Sequence, residues 1–249
     1  AESLLRRAAD RNPADQDVQW FLGLARLEQD DFDGAEQAFE RLVDEADDAK
    51  TEYAVAGRMA LAIARGVDDP ERGVEPFVEA VERDPGLAVS AARTLAMAGR
   101  QRPVREIAER ASSAAPDDGE VGFAYASILQ GTGESDRAVA EVERLLATDA
   151  ANDVDLAVGL RLVGAAADAE RYRFGAARER LRGALDLQPG HPQALQLLVR
   201  AVLEGRGSRG DLDDLRRRIS VAREANESPE FRALLDQLEA GLAEVANDA

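Results

Sequence analysis

The sequence has no cysteine, which excludes disulfides, thiolate catalysis and cysteine-bound zinc. It has one histidine, His191, so neither a histidine-based triad nor a multi-histidine metal site can be assembled. Aromatic residues make up only 4% of a chain that is 45% apolar. Alanine and leucine dominate that apolar share, and both are strong helix formers. Lysine is nearly missing too: Lys50 is the sole one among 31 basic residues, and the rest are arginine. High-GC bacterial codon usage accounts for that bias, with salt adaptation as the other reading of so acidic a chain. No apolar run approaches the roughly 20 residues that span a bilayer, so direct membrane insertion is not expected. The compartment stays open, because cysteine-free chains suit cytoplasm and periplasm alike.

What is abundant is acid. The formal charge is -18 and the pI is near 4.5. Such a chain repels phosphate backbones and anionic membrane surfaces, so nucleic acid is not an expected partner. The acidic clusters Asp44-Glu45-Asp47-Asp48 and Asp211-Asp213-Asp214 lack the spacing of a calcium loop. They fit solvated faces and the negative charge that helix N-termini favour.

The stretch Trp20 to Leu42, WFLGLARLEQDDFDGAEQAFERL, reads as a helical hairpin. Helix A is expected over 16–29 and helix B over 33–46, each with apolar residues recurring at three and four. The break Asp30-Asp31-Phe32-Asp33-Gly34 supplies turn and N-cap chemistry between them. Helix B carries a frame of Ala35, Phe39 and Leu42, and the same small–large spacing recurs along the chain. It appears at Ala1, Leu5 and Ala8, at Gly73, Phe77 and Ala80, and at Ala177, Leu181 and Ala184. Weaker copies fall at Val104, Ala108, Ala111, at Ala138, Val142, Leu145, and at Leu215, Ile219, Ala222. Pro13, Pro85, Pro116 and Pro189 each follow the third frame position by the same interval, where proline ends helix B and opens the next repeat.

This pattern resembles the tetratricopeptide repeat family, a helix–turn–helix unit of about 34 residues with W-x2-L-G-x2-Y, then A-x3-F, then P. Leu22, Gly23, Phe32, Ala35 and Phe39 match it in the clearest copy, and Tyr53, Ala56, Gly57, Phe77, Ala80 and Pro85 in the second. The family's tryptophan position holds Gln19, with Trp20 one residue later. The resemblance implies an all-α fold: an α-solenoid, a right-handed superhelix of about six hairpins. Residues 1–15 are expected to hold an orphan helix B, 16–228 the six hairpins and 229–246 a capping helix, as a single array within a longer protein. Later A helices are expected near 50–65, 87–98, 118–131, 153–171 and 191–204. Their B partners are expected near 70–83, 102–114, 135–148, 175–187 and 211–225. The capping helix should present Phe231, Leu234, Leu238, Leu242 and Val245 on one stripe.

No nucleophile–base set or cofactor motif emerges, so neither an independent enzyme nor a cofactor is expected. Gly205-Arg206-Gly207-Ser208-Arg209-Gly210 spells GxGxxG, but no strand precedes it, and it reads as a flexible inter-helix loop. His191, between Gly190 and Pro192, reads as an exposed turn residue, and Asn226-Glu227-Ser228 as a chance glycosylation sequon.

The family's A helices line a concave groove that binds peptide segments. Carried over, that register places Trp20, Phe21 and Leu24 in the groove, followed by Arg58, Arg93, Phe123, Arg161, Gln196 and Arg200, with Asp17 and Ser127 on the same faces. Arg58 and Arg93 each stand one position after the small residue of helix A, Gly57 and Ala92, and the register gives Arg200, which follows Val199, the same helical position. Arginine grips carboxylates in bidentate fashion, and aromatic anchors dominate docking energetics. The expectation is therefore a protein–protein interaction scaffold whose groove takes an acidic, partly apolar peptide or chain terminus. The lysines and asparagines of the family's chaperone-tail clamp are missing, so that tail is not expected. Two alternatives stand beside it: a self-assembling module joined through Leu4, Leu5 and Ala8 in residues 1–12, and the recruiting part of a larger enzyme or envelope assembly.

Overall fold

The computed structural model describes residues 2–27, 29, 31–44, 59, 71–83, 85–96, 99, 101–225 and 228–247. Among them every regular element is helical. Backbone packing divides the chain into two compact units, 1–132 and 133–249.

In the first unit the helices are α1 (Glu2–Arg11), α2 (Gln16–Leu27), α3 (Phe32–Asp44), α4 (Glu71–Arg83), α5 (Pro85–Leu95), α6 (Gln101–Ala114) and α7 (Gly119–Gly131). The expected helix near 50–65, and Arg58 with it, lies outside the described residues, except for Met59, which is helical and buried. Four of these starts have a local cause. Asp15 accepts from the Val18 amide, Asp31 from the Gly34 amide, and Asp118 from the amides of Glu120 and Val121, satisfying N–H groups that a helix leaves without partners. Pro85 occupies the first position of α5, where its missing N–H costs nothing.

The hairpin α2–α3 is held by a close approach. A Cβ on Gly23 would stand 2.2 Å from Cε1 of Phe39, whose ring is fully buried. Trp20 packs on the same ring at 5.6 Å between centroids. Gln19 fills the family's tryptophan position, buried, with Nε2 donating to the Pro13 carbonyl at 2.9 Å. Farther along, α5 packs on α7 and α4 on α6, so A helices meet A helices and B helices meet B helices.

In the second unit the order is α8 (Ser135–Leu146), a 3-10 turn (Asp149–Asn152), α9 (Val154–Glu170), α10 (Phe174–Leu187), α11 (Pro192–Glu204), α12 (Arg209–Ala225) and α13 (Pro229–Asn247). Frame residues Leu181, Ala184, Leu215 and Ile219 share one core with Leu195 and Leu198. Burying several such side chains, each worth about 1.5–3 kcal/mol, is what holds these helices together. The last helix covers this core with Phe231, Leu235 and Leu242, while Leu234 and Leu238 are half-buried beside them. Leu235 was not on the expected stripe. It is buried because the stripe is wide enough for Leu234 and Leu235 to straddle its midline.

The GxGxxG run is an ordered double cap rather than a flexible loop. Arg206 adopts a left-handed φ of 47°, its amide donates to the Leu203 carbonyl, and the Gly207 amide donates to Val202 at 2.7 Å. These bonds close α11 in a Schellman motif. A Cβ at Gly205 would lie 2.5 Å from Cβ of Phe174. Ser208 and Asp211 then form a capping box: the Ser208 amide donates to Asp211 at 2.7 Å, and the Asp211 amide donates back to the Ser208 hydroxyl at 3.2 Å. That box starts α12 two residues earlier than expected. His191 is half-buried and caps α11, its Nδ1 accepting from the Ala194 amide at 3.2 Å. Burial holds its imidazole below the ordinary histidine value.

Arginine and acid interlock across this unit. Asp168, 2% exposed at the end of α9, accepts from Nε of Arg180 at 2.8 Å and forms an ion pair with Nε of Arg173 at 2.9 Å. Arg180 reaches on to Glu143 of α8, and Arg182 of α10 spans Asp211 and Asp214 of α12. The forked guanidinium serves two carboxylates at once, which a lysine ammonium does not do with the same geometry.

Hydrogen bonds from Arg182 and Ser208 pull the Asp211 carboxyl down to about 2 from its ordinary 3.8. A carboxyl depressed in the folded state adds stability above its unfolded value and loses it as pH falls toward the folded one. Acid unfolding is thus expected to draw on Asp211 between about pH 4 and 2. In Asp211→Asn, stability measured by urea titration should depend less steeply on pH across that window. An unchanged slope would remove Asp211 as the cause.

Candidate functional site

The structure scatters the groove residues inferred from the sequence into three situations. Trp20 is 7% exposed and built into the α2–α3 hairpin against Phe39, so it supports the scaffold instead of offering a surface. Phe21, its neighbour, points the other way and is 53% exposed. Successive helical side chains diverge by about 100°, so burying one of an adjacent aromatic pair exposes the other. Leu24 and Phe123 are half-buried.

In the second unit, Arg161 is half-buried and spends Nη1 on the Ala157 carbonyl of its own helix. Gln196 is exposed, and Arg200 is exposed but paired with Glu204 at 2.7 Å. These groups are engaged locally or left to solvent. Leu4 on α1 is 69% exposed, whereas Leu5 packs against the small cluster of Ala9, Leu22 and Ala38.

Arg93 is different. It is exposed on α5 and makes no ion pair among the described residues, on a chain with 49 acids against 31 bases. Its Nε lies 3.6 Å from where a Cβ on Gly131 would be, over the C-terminal turn of α7. That end of a helix carries partial negative charge, which draws a guanidinium. Arg93 also borders a small cavity of about 30 Å³, together with Gln101, Ser127 and Thr132. Val89 and Ile128 supply apolar wall.

Ser127 is one 34-residue repeat beyond Arg93, on the stripe of α7 that also carries Phe123 and Gly131. It is 3% exposed, and its Oγ has no hydrogen-bond partner. Thr132 has spent its proton on the carbonyls of Ile128 and Leu129 at 2.9 and 3.2 Å. Repeat spacing signalled Arg93 and Ser127. Gln101 and Thr132 carried no sequence signal, because they enter from helix ends that only folding brings near.

A second, more open cavity in the other unit lies between α10 and α12, with about 430 Å³ of space, lined by Leu185 and by charged side chains. Its charges are already matched: Arg218 by Asp186 and Asp214, and Arg217 by Asp214. Among the described residues no group of histidine and acid side chains could hold a metal ion, and no helix is long and apolar enough to cross a membrane.

Residues 1–58 match the family model described as Tetratricopeptide repeat. No curated protein sequence matches the chain. Among solved structures it is similar to YrrB, a TPR protein with an unusual peptide-binding site, at 18% identity over 79% of this chain and 98% of that one, with a TM-score of 0.37. Yeast Tom70 matches at 15% identity over 98% of this chain and 58% of its own, with a TM-score of 0.44. A tetratricopeptide repeat protein from Parabacteroides merdae matches at 12% identity over 96% and 91% of the two chains, with a TM-score of 0.41. Residues 1–58 thus match a tetratricopeptide repeat, and the small–large frame of that segment recurs in the buried faces of the helices after it.

Proposed function

We propose that this protein is a non-catalytic scaffold that binds a peptide segment of a partner protein on the A-helix face of its first unit, and that the segment is acidic. Tetratricopeptide repeats are in general protein–protein interaction scaffolds, usually without enzymatic activity. The guanidinium of Arg93 carries the acidic preference: a cation without an ion pair among the described residues, on so acidic a chain, is available to a partner's carboxylate. Phe21 supplies exposed aromatic surface on the same class of helix, and aromatic and arginine side chains are the residues on which docking energy concentrates.

Both side chains are exposed, so replacing them leaves the hairpins intact. Phe21→Ser and Arg93→Glu are each expected to abolish recovery of the native partner by affinity capture, with far-UV circular dichroism and melting unchanged. Undiminished recovery by both variants would refute the reading.

A further inference from the structure

We propose that the turns closing α9 and α11 form a second protein-docking surface, centred on Tyr172 and Arg206, that takes an acidic segment carrying an apolar side chain. The two turns share one backbone design. The amides of Tyr172 and Arg173 donate to the carbonyls of Ala169 and Asp168 at 2.9 and 2.8 Å. Those of Arg206 and Gly207 donate to Leu203 and Val202 at 3.3 and 2.7 Å. Both are Schellman closures, in which the residue just past the helix end is left-handed. After α5 and α7 the left-handed residue is glycine, Gly99 at φ 88° and Gly133 at φ 82°. After α9 and α11 it is Tyr172 at 58° and Arg206 at 47°. A side chain there crowds its own backbone, a strain that glycine does not have, and for a residue as bulky as tyrosine the conformation is rare. Packing does not offset that strain, because Tyr172 is 83% exposed and meets Phe174 edge-on at 6.2 Å between ring centroids. Strain held without a packing gain points to a side chain that serves something outside the fold.

The two positions are neighbours. They stand one repeat length apart, and their turns touch: a Cβ at Gly205, the residue before Arg206, would lie 2.5 Å from Cβ of Phe174. The acids of this edge are already engaged. Asp136 pairs with Arg171 and Arg173, Glu170 accepts from the Ser135 hydroxyl, Glu204 pairs with Arg200, and Asp211 accepts from Arg182 and Ser208. Arg206 and Arg209 are exposed and make no ion pair among the described residues, on a chain with 49 acids against 31 bases. Those guanidinium groups suit a partner's carboxylates, and the exposed ring of Tyr172 suits an apolar side chain between them. Tyrosine and arginine are also the side chains on which docking energy concentrates. The surface lies wholly in the second unit and is built from turns, so it stands or falls apart from the A-helix face proposed for the first.

The full chain, isotope-labelled for amide NMR at low ionic strength, is titrated with three acetylated and amidated pentapeptides. They are Glu-Glu-Leu-Glu-Glu, Gln-Gln-Leu-Gln-Gln and Glu-Glu-Ser-Glu-Glu. Saturable shifts at the Tyr172, Arg173, Arg206 and Gly207 amides are expected with the first. The second and third should each bind roughly tenfold more weakly, one having lost the charge and the other the apolar anchor.

Tyr172→Asn installs a side chain that accepts the left-handed backbone, and Arg206→Gly removes the strain outright. Each is expected to weaken the first peptide by roughly tenfold and to melt no lower than wild type. Side chains retained for packing would instead lower the melting temperature when removed. Absence of saturable shifts at these amides, equal affinity for either comparison peptide, undiminished binding by Tyr172→Asn, or a lowered melting temperature in both variants would each overturn the proposal. Phe21→Ser and Arg93→Glu should leave the shifts in place, and their loss in either variant would assign the binding to the first unit and overturn this surface.

Discussion

Gly23→Ala is expected to destabilise the first unit, although alanine is the better helix former. The propensity gain is about 1 kcal/mol. Against it stands a new methyl 2.2 Å from Cε1 of Phe39 and 2.5 Å from its Cζ. That ring is fully buried and pressed on its other side by Trp20, so it has nowhere to turn. Overpacking a core costs about 1–3 kcal/mol, and at this separation the upper end applies, leaving a net loss of about 2 kcal/mol. Urea unfolding followed by circular dichroism measures it.

The cause is separable from a general intolerance of α2. Phe39→Leu alone opens a void and destabilises. Placed on Gly23→Ala it relieves the clash, so the double variant should lose less than the sum of the two. Strictly additive losses would show that Phe39 is not what Gly23 accommodates.

Asp168→Ala should cost more, about 3 kcal/mol, because it removes one partner of a buried pair and leaves the other charge behind. Arg180 keeps Glu143 and Arg173 keeps Asp136, which holds the loss to the low end of the range for such deletions. Asp168→Asn retains an acceptor oxygen and should fall between wild type and alanine. The effect should persist in high salt, because a carboxylate only 3% exposed is poorly screened. An alanine variant as stable as wild type, or a loss that vanishes with added salt, would mark Asp168 as an ordinary surface acid.

Gly23 and Asp168 were not equally visible in the sequence. Gly23 stood out because a glycine in a helical run near a repeating Phe39 has a packing meaning within one hairpin, where the spacing is short. Asp168 did not, since an acid near a helix end reads as solvated. Its burial depends on Arg180 arriving from the next helix and Arg173 from the turn between. The aromatic pair shows the same limit. The family register carried over put Trp20 and Phe21 together on a docking face, but only neighbouring Phe39 decides which ring is enclosed. The GxGxxG run read as a flexible inter-helix loop, and its part in closing α11 and opening α12 needed the backbone angle of Arg206 and the reciprocal bonds of Ser208 and Asp211.

By itself the sequence determined the helices, their pairing into hairpins and the frame that buries Phe39, Phe77 and Leu181. Those follow from apolar spacing within a dozen or so residues, and one helix obeys that spacing whatever its neighbours do. Tertiary structure alone decided which polar groups end satisfied and which do not: Asp168 doubly paired, Arg200 paired, Arg93 and the Ser127 hydroxyl left over beside one cavity. Hydrogen bonds and ion pairs act over about 3 Å. Whether two side chains come that close is set by how one helix lies against another, a relation that no local spacing encodes.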